Sequence, residues 1–146
     1  QNRILIKFLI MKNVGVWIDQ KEANIITLVN EEAIKTKTIY SDVETRVRIE
    51  GEKKQFGRVG DQYLVDEKGK KNRVEEYTTR YLNRVINELK SADQIMLFGP
   101  AQTKKRLEKM MFEDQNLVQK LKETKVSDNM TDNQKIAYVK NYFKEN

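Results

Sequence analysis

Apolar positions open the chain in three short blocks separated by polar breaks. The run "NVGVWID", residues 13–19, is β-branched and aromatic; "ANIITLVN" follows after "QKE", and "EEAIKTKTIY" follows that. In the third block Ile34, Thr36, Thr38 and Tyr40 alternate with Lys35, Lys37 and Ile39, a partial period of two. The breaks at 19–22 and 30–32 suit hairpin turns, so residues 13–40 are predicted to form a three-stranded antiparallel meander.

Periodicity then fails. Residues 41–72 hold four of the six glycines (51, 57, 60, 69), and eight Lys/Arg nearly balance seven Asp/Glu. A structureless loop of that length is uncommon unless functional, and the segment reads as a projecting hairpin or a long loop. Helical spacing begins near Arg73, where Val74, Tyr77, Tyr81, Val85 and Leu89 form one apolar stripe flanked by Leu82 and Ile86. "ADQIMLFG" is a buried strand, Gln94 to Phe98, ending at Gly99. Pro100 fits the first turn of a following helix, where a missing N–H costs little. That helix, "AQTKKRLEKMMF", turns Leu107, Met110 and Met111 inward and Lys104, Lys105, Arg106 and Lys109 largely outward. "NLVQKLKETKV" is either helix or short strand. Thr131 and Gln134 form a capping box that opens a last helix, with Ile136, Val139, Tyr142 and Phe143 facing inward.

Three antiparallel strands, then alternating helices and strands, predict an α/β fold with a mixed sheet in a ribonuclease H-like arrangement, carrying a long inserted hairpin or loop. Residues 11–146 are expected to be one domain with the insertion at about 41–72. Residues 1–10 read as a leader or added extension, because "MKNVGVWID" at Met11 looks like a natural beginning. If ordered, their β-rich composition favours an extra strand on a sheet edge.

Composition narrows the chemistry. Among 146 residues there is no cysteine and no histidine. Disulfides, thiolate metal sites and every Ser-His or Cys-His nucleophile are therefore ruled out, and a reducing cytoplasm is the expected location. No segment approaches a membrane span of roughly 20 apolar residues. The formal charge is +6, from 28 basic and 22 acidic residues. A mildly basic surface favours polyanions such as RNA, although Arg3, Lys7 and Lys12 supply half of that charge before any acidic residue appears.

Three constellations bear on function. The junction "IMLFGPAQTKKRL" places a helix start, Gly99, Pro100 and Thr103, at a sheet edge where free N–H groups can receive an anion; its bland alternative is an ordinary tight connection. Neither GxGxxG nor GxxxxGK[ST] occurs. Asp19 invites a nuclease reading with Glu88, Asp93, Asp128 or Asp132, but Asp19 before "QKE" is an equally good turn former. Trp17, Tyr77, Tyr81, Met110 and Met111 read as core.

Taken together, "KNVGVWIDQKEANIITL", "ADQIMLFGPAQTKKRLEKM" and "VSDNMTDNQKIAYVKNYF" resemble a bacterial family similar to the central domain of the archaeal and eukaryotic class 1 peptide-release factor and of Pelota, the ribosome-rescue factor. The resemblance implies a ribonuclease H-like fold without nuclease chemistry, needing no metal or cofactor, and partners such as the ribosome or tRNA. In the release factor a Gly-Gly-Gln loop precedes the long helix. "GRVGDQ" lies in the corresponding region, with Gly57, Gly60 and Gln62 as a loosened echo. Val59 and Asp61 interrupt it: neither has the freedom of glycine, and a carboxylate repels the phosphates of a tRNA end. The expected activity is thus non-catalytic binding to ribosomal RNA or tRNA through Lys53, Lys54, Arg58, Lys104, Lys105, Arg106 and Lys109. The alternatives are an enzyme, as nuclease or peptidyl-tRNA hydrolase, or a homo-oligomeric module joined through a sheet edge.

Overall fold

The computed structural model describes residues 11–56 and 66–145. Five strands, β1 (Lys12–Ile18), β2 (Glu22–Val29), β3 (Glu32–Tyr40), β4 (Gln94–Gly99) and β5 (Leu121–Val126), form one sheet in the order β3-β2-β1-β4-β5. The first three pair antiparallel, and β4 lies parallel to both β1 and β5. The mixed α/β sheet with a leading meander is the architecture that the sequence predicts.

Local chemistry makes the turns. Asp19 Oδ1 accepts the backbone N–H groups of Lys21 and Glu22, both at 2.8 Å, and closes the first hairpin. Asn30 and Glu31 both carry positive φ, 54° and 72°, the two-residue turn whose twist matches its flanking strands.

Helix α1 (Val43–Phe56) and helix α2 (Asp66–Leu89) occupy most of the described part of 41–72, where the sequence predicts a projecting hairpin or loop. Residues 57–65 lie outside the described residues, and α2 starts seven residues before Arg73. The correction has a physical cause. These segments are rich in Lys, Glu and Arg, good helix formers, but α1 and the N-terminal part of α2 bury few apolar side chains, so no stripe announces them. On α1 only Val43 and Val47 are buried hydrophobics among the described side chains. Helix α3 (Ala101–Phe112) follows β4 directly. The ambiguous stretch after it is both things in turn, helix α4 (Gln115–Lys120) and then β5. Helix α5 (Asp132–Glu145) opens on the expected capping box: Thr131 Oγ1 accepts Gln134 N–H at 3.2 Å, and Gln134 Oε1 accepts Thr131 N–H at 2.9 Å.

The sheet is covered on both faces. Val14, Val16, Ile18, Ile25, Ile95 and Leu97 pack under Tyr81, Leu82, Val85 and Leu89 of α2 and Leu107 and Met111 of α3. On the other face Trp17, Ile26, Leu28, Met96 and Phe98 meet Val139 and Phe143 of α5. Successive side chains of β1 and β4 thus enter opposite cores, which is why both strands read as continuous apolar runs rather than alternating ones. No described helix is long and apolar enough to cross a membrane.

Candidate nucleic-acid interface

At the carboxyl ends of β1 and β4 an open groove of about 750 Å³ is bounded by Asp19, Lys21, Pro100, Thr103, Thr131 and Lys135, among others. The expected helix start borders it. Gly99 takes a positive φ, 128°, and Pro100 precedes the first turn of α3 without a side-chain cap and with no acidic residue in that turn. Thr103 is buried at that start. The same groove carries Asp19, Glu22 and Asp132, whose negative charge offsets the helix end.

Of the carboxylates considered for metal chemistry, Asp19 and Asp132 border this groove, and Glu88 and Asp93 are engaged elsewhere. Asp19 caps its turn, Glu88 pairs with Lys37, and Asp93 Oδ2 accepts Lys12 N–H at 2.8 Å. Among the described residues no group of three or more acidic side chains is placed to hold a metal ion.

The cationic run on α3 divides. Lys104, expected outward, is 4% exposed, and its Nζ lies 3.5 Å from Glu108 one turn on. Spacing explains the correction, because residues 103, 104, 107 and 111 share the face that α3 turns to the sheet. Arg106 is bonded to Glu75 of α2 at 2.9 Å. Only Lys105 and Lys109 of the four stand exposed, one turn apart. Lys53 and Lys54 lie on α1 with side chains outside the described residues, and Arg58, Gly57, Gly60 and Gln62 fall outside them altogether, as does the leader 1–10.

The sequence reading missed a second cationic region. Tyr77, expected in the core, is only partly buried, and Val74 is exposed at 37%. The Tyr77 ring has two guanidinium groups near it, with Arg46 Cζ 5.8 Å and Arg80 Cζ 5.4 Å from its centroid. Its hydroxyl bonds Glu50 of α1. Arg84, one turn further, donates to the Tyr40 carbonyl at 2.8 Å and lies 6.0 Å from the ring of Tyr81. Tyr81 itself is buried and donates to the Asp19 carbonyl at 3.1 Å. Burial, then the charges of Asp19 and Glu22, push its phenol well above the usual range. The signal was present as Arg73, Tyr77, Arg80 and Arg84 at i, i+4, i+7 and i+11. An apolar stripe one position away, through Tyr81, masked it.

Comparison with known proteins bears on this frame. No protein-family model matches the chain, and no curated protein matches it. Among solved structures, the archaeal translation termination factor aRF1 aligns over 92% of this chain and 39% of its own at 13% identity, with a TM-score of 0.44. The Pelota protein of Thermoplasma acidophilum aligns over 94% of this chain at 15% identity, with a TM-score of 0.54. The chain is therefore similar in fold to that Pelota protein, and it spans 35% of its length.

Proposed function

We propose that the chain is a translation-associated binding domain that contacts the ribosome, ribosomal RNA or tRNA in a release-factor-like or rescue role, in the cytoplasm. The observation that carries this reading is the fold itself, similar over 94% of the chain to a Pelota protein. It coincides with the likeness drawn independently from the sequence blocks, which implies a ribosome-facing role. A net charge of +6 agrees with a phosphate-bearing partner. The cations available on α3 are Lys105 and Lys109, with Lys104 confined to an internal pair.

The test is co-sedimentation of purified protein with ribosomes through a sucrose cushion across a salt series. Binding at low ionic strength that falls steeply as salt rises is the expected result, because each neutralised phosphate releases counterions. No co-sedimentation at about 50 mM salt, where such contacts are strong, sinks the proposal.

A further inference from the structure

We propose that the ladder of arginine and tyrosine along α2, ending at Tyr40, binds single-stranded RNA, with an unpaired base stacked on Tyr40 and phosphates on Arg84 and Arg46. The inference rests on the translation-associated reading and gives it a site on a different part of the surface from α3.

Tyr40 ends β3 with 58% of its surface exposed, large for an aromatic side chain. Beside it lies a groove of about 430 Å³, whose walls carry the cations Lys37 and Arg84, the carboxylates Asp42 and Glu88, and the amide of Asn87. Arg84 is fixed by its bond to the Tyr40 carbonyl, so its charge sits at the end of β3 and not at the end of a free chain. Positions 73, 77, 80 and 84 of α2 lie on one face, and the span from Arg73 to Arg84 is roughly 16 Å at 1.5 Å per residue. Arg80 and Arg46 both lie near the Tyr77 ring, at 5.4 Å and 5.8 Å from its centroid.

Charge selects the occupant. Glu76 pairs with Arg80, Glu88 with Lys37, and Glu50 lies near Arg73. Among the described residues neither Arg46 nor Arg84 has a carboxylate partner, and both are exposed. Two guanidinium groups held against aromatic faces, with donors still open to solvent, suit phosphate oxygens. An exposed tyrosine beside them suits a base freed from pairing, since unpaired bases stack on aromatic and guanidinium planes whereas a duplex hides its faces. The Asn87 amide on the groove wall offers both donor and acceptor to a ribose 2′-hydroxyl.

Fluorescence anisotropy with a labelled single-stranded 12-nucleotide RNA tests the site. Tyr40→Ala is expected to weaken binding by about 5- to 100-fold, and Tyr40→Phe to leave it within about 2-fold, because stacking needs the ring and not the hydroxyl. Arg46→Ala and Arg84→Ala should each lower the salt slope by about 1. Melting temperature, read by circular dichroism, should stay near that of the parent for Tyr40→Ala, whose side chain leaves little packing behind. Duplex RNA should compete poorly, and single-stranded DNA of the same sequence more weakly than RNA. Equal competition by that DNA overturns the assignment to RNA. Parental affinity in Tyr40→Ala, with loss in Lys105→Glu/Lys109→Glu, overturns this site and leaves RNA binding on α3. Protein that sediments with ribosomes but binds no single strand overturns the site alone; protein that does neither overturns the translation reading as well.

Discussion

Lys135 Nζ lies 3.6 Å from the centroid of the Trp17 ring, with Asn24 Oδ1 at 2.6 Å. This ammonium is 5% exposed and is held by an aromatic face and an amide oxygen rather than by a carboxylate. Asn24 is itself held by Glu22 at 3.1 Å and Thr38 at 3.0 Å, so the cation joins α5 to β2 and β3 through one chain of hydrogen bonds. Lys135→Met keeps the apolar stem but leaves Asn24 Oδ1 without its donor. It should cost about 1–3 kcal/mol by urea denaturation. A double-mutant cycle with Trp17→Leu, which removes the aromatic face, should return a coupling of about 1 kcal/mol. Additive losses would show that the ring does not hold the charge.

Gly15 of β1 is required by Val139 of α5. A Cβ built at Gly15 would meet Val139 Cγ2 at 2.3 Å and Cγ1 at 2.8 Å. Gly15→Ala should therefore destabilise the domain by about 1–3 kcal/mol, as overpacking does. Because the obstacle is a side chain, Val139→Ala in the same molecule should recover part of the loss, which thermal melts of the single and double variants will show.

Gly99 presents the opposite case. Its φ of 128° is closed to ordinary residues, and a Cβ there would meet the Ile18 carbonyl oxygen at 2.5 Å. Both constraints are backbone, so no neighbouring side chain can relieve them. Gly99→Ala should cost more than Gly15→Ala, about 3 kcal/mol or above when backbone strain and steric overlap add, and no second-site truncation should rescue it.

The split fate of the α3 lysines separates stability from binding. Lys104→Ala should lower stability by about 1–2 kcal/mol through lost stem packing and leave ribosome sedimentation at the parental level. Lys105→Glu with Lys109→Glu should leave stability within about 0.5 kcal/mol and reduce sedimentation at low salt. The reverse pattern would mean that the buried lysine is the functional one.

Tyr81 predicts an alkaline limit. Its folded pKa is raised above the ordinary 10.0 by burial first and by Asp19 and Glu22 next. The unfolded chain therefore loses the phenolic proton before the folded one does. Stability is fully present below about pH 10 and falls as pH rises from there toward the folded pKa. Tyr81→Phe removes that proton, at the cost of about 0.5–1.5 kcal/mol for the lost bond to the Asp19 carbonyl. Chemical denaturation at about pH 8 and pH 11 should show the gap between parent and variant narrowing at the higher pH. A gap that stays constant would contradict the raised pKa.

Much of this molecule is legible in the order of its residues. The meander follows from short β-branched runs and from Asp19 and Asn30 at the breaks. The capping box at Thr131 names its own hydrogen bonds, and the buried faces of α2 and α3 follow from Leu82, Val85, Leu107 and Met111. These features depend on neighbours within about one turn, where spacing alone sets geometry. Charge-dense α1 shows the limit of that information, since a helix with little to bury has no period to read.

What only tertiary packing decided is which residue meets each face. Local spacing could set Lys104 one turn from Glu108 but not decide that the lysine is buried, and could align Tyr77 with the core stripe but not put Arg46 beside it from a helix 31 positions earlier. Gly15 likewise has no meaning until Val139, 124 residues on, is laid across it. A sequence specifies the character of each surface through its periodicity. The contacts between surfaces depend on how the sheet brings distant segments together, and those contacts determine whether a charge is held inside or left free for a partner.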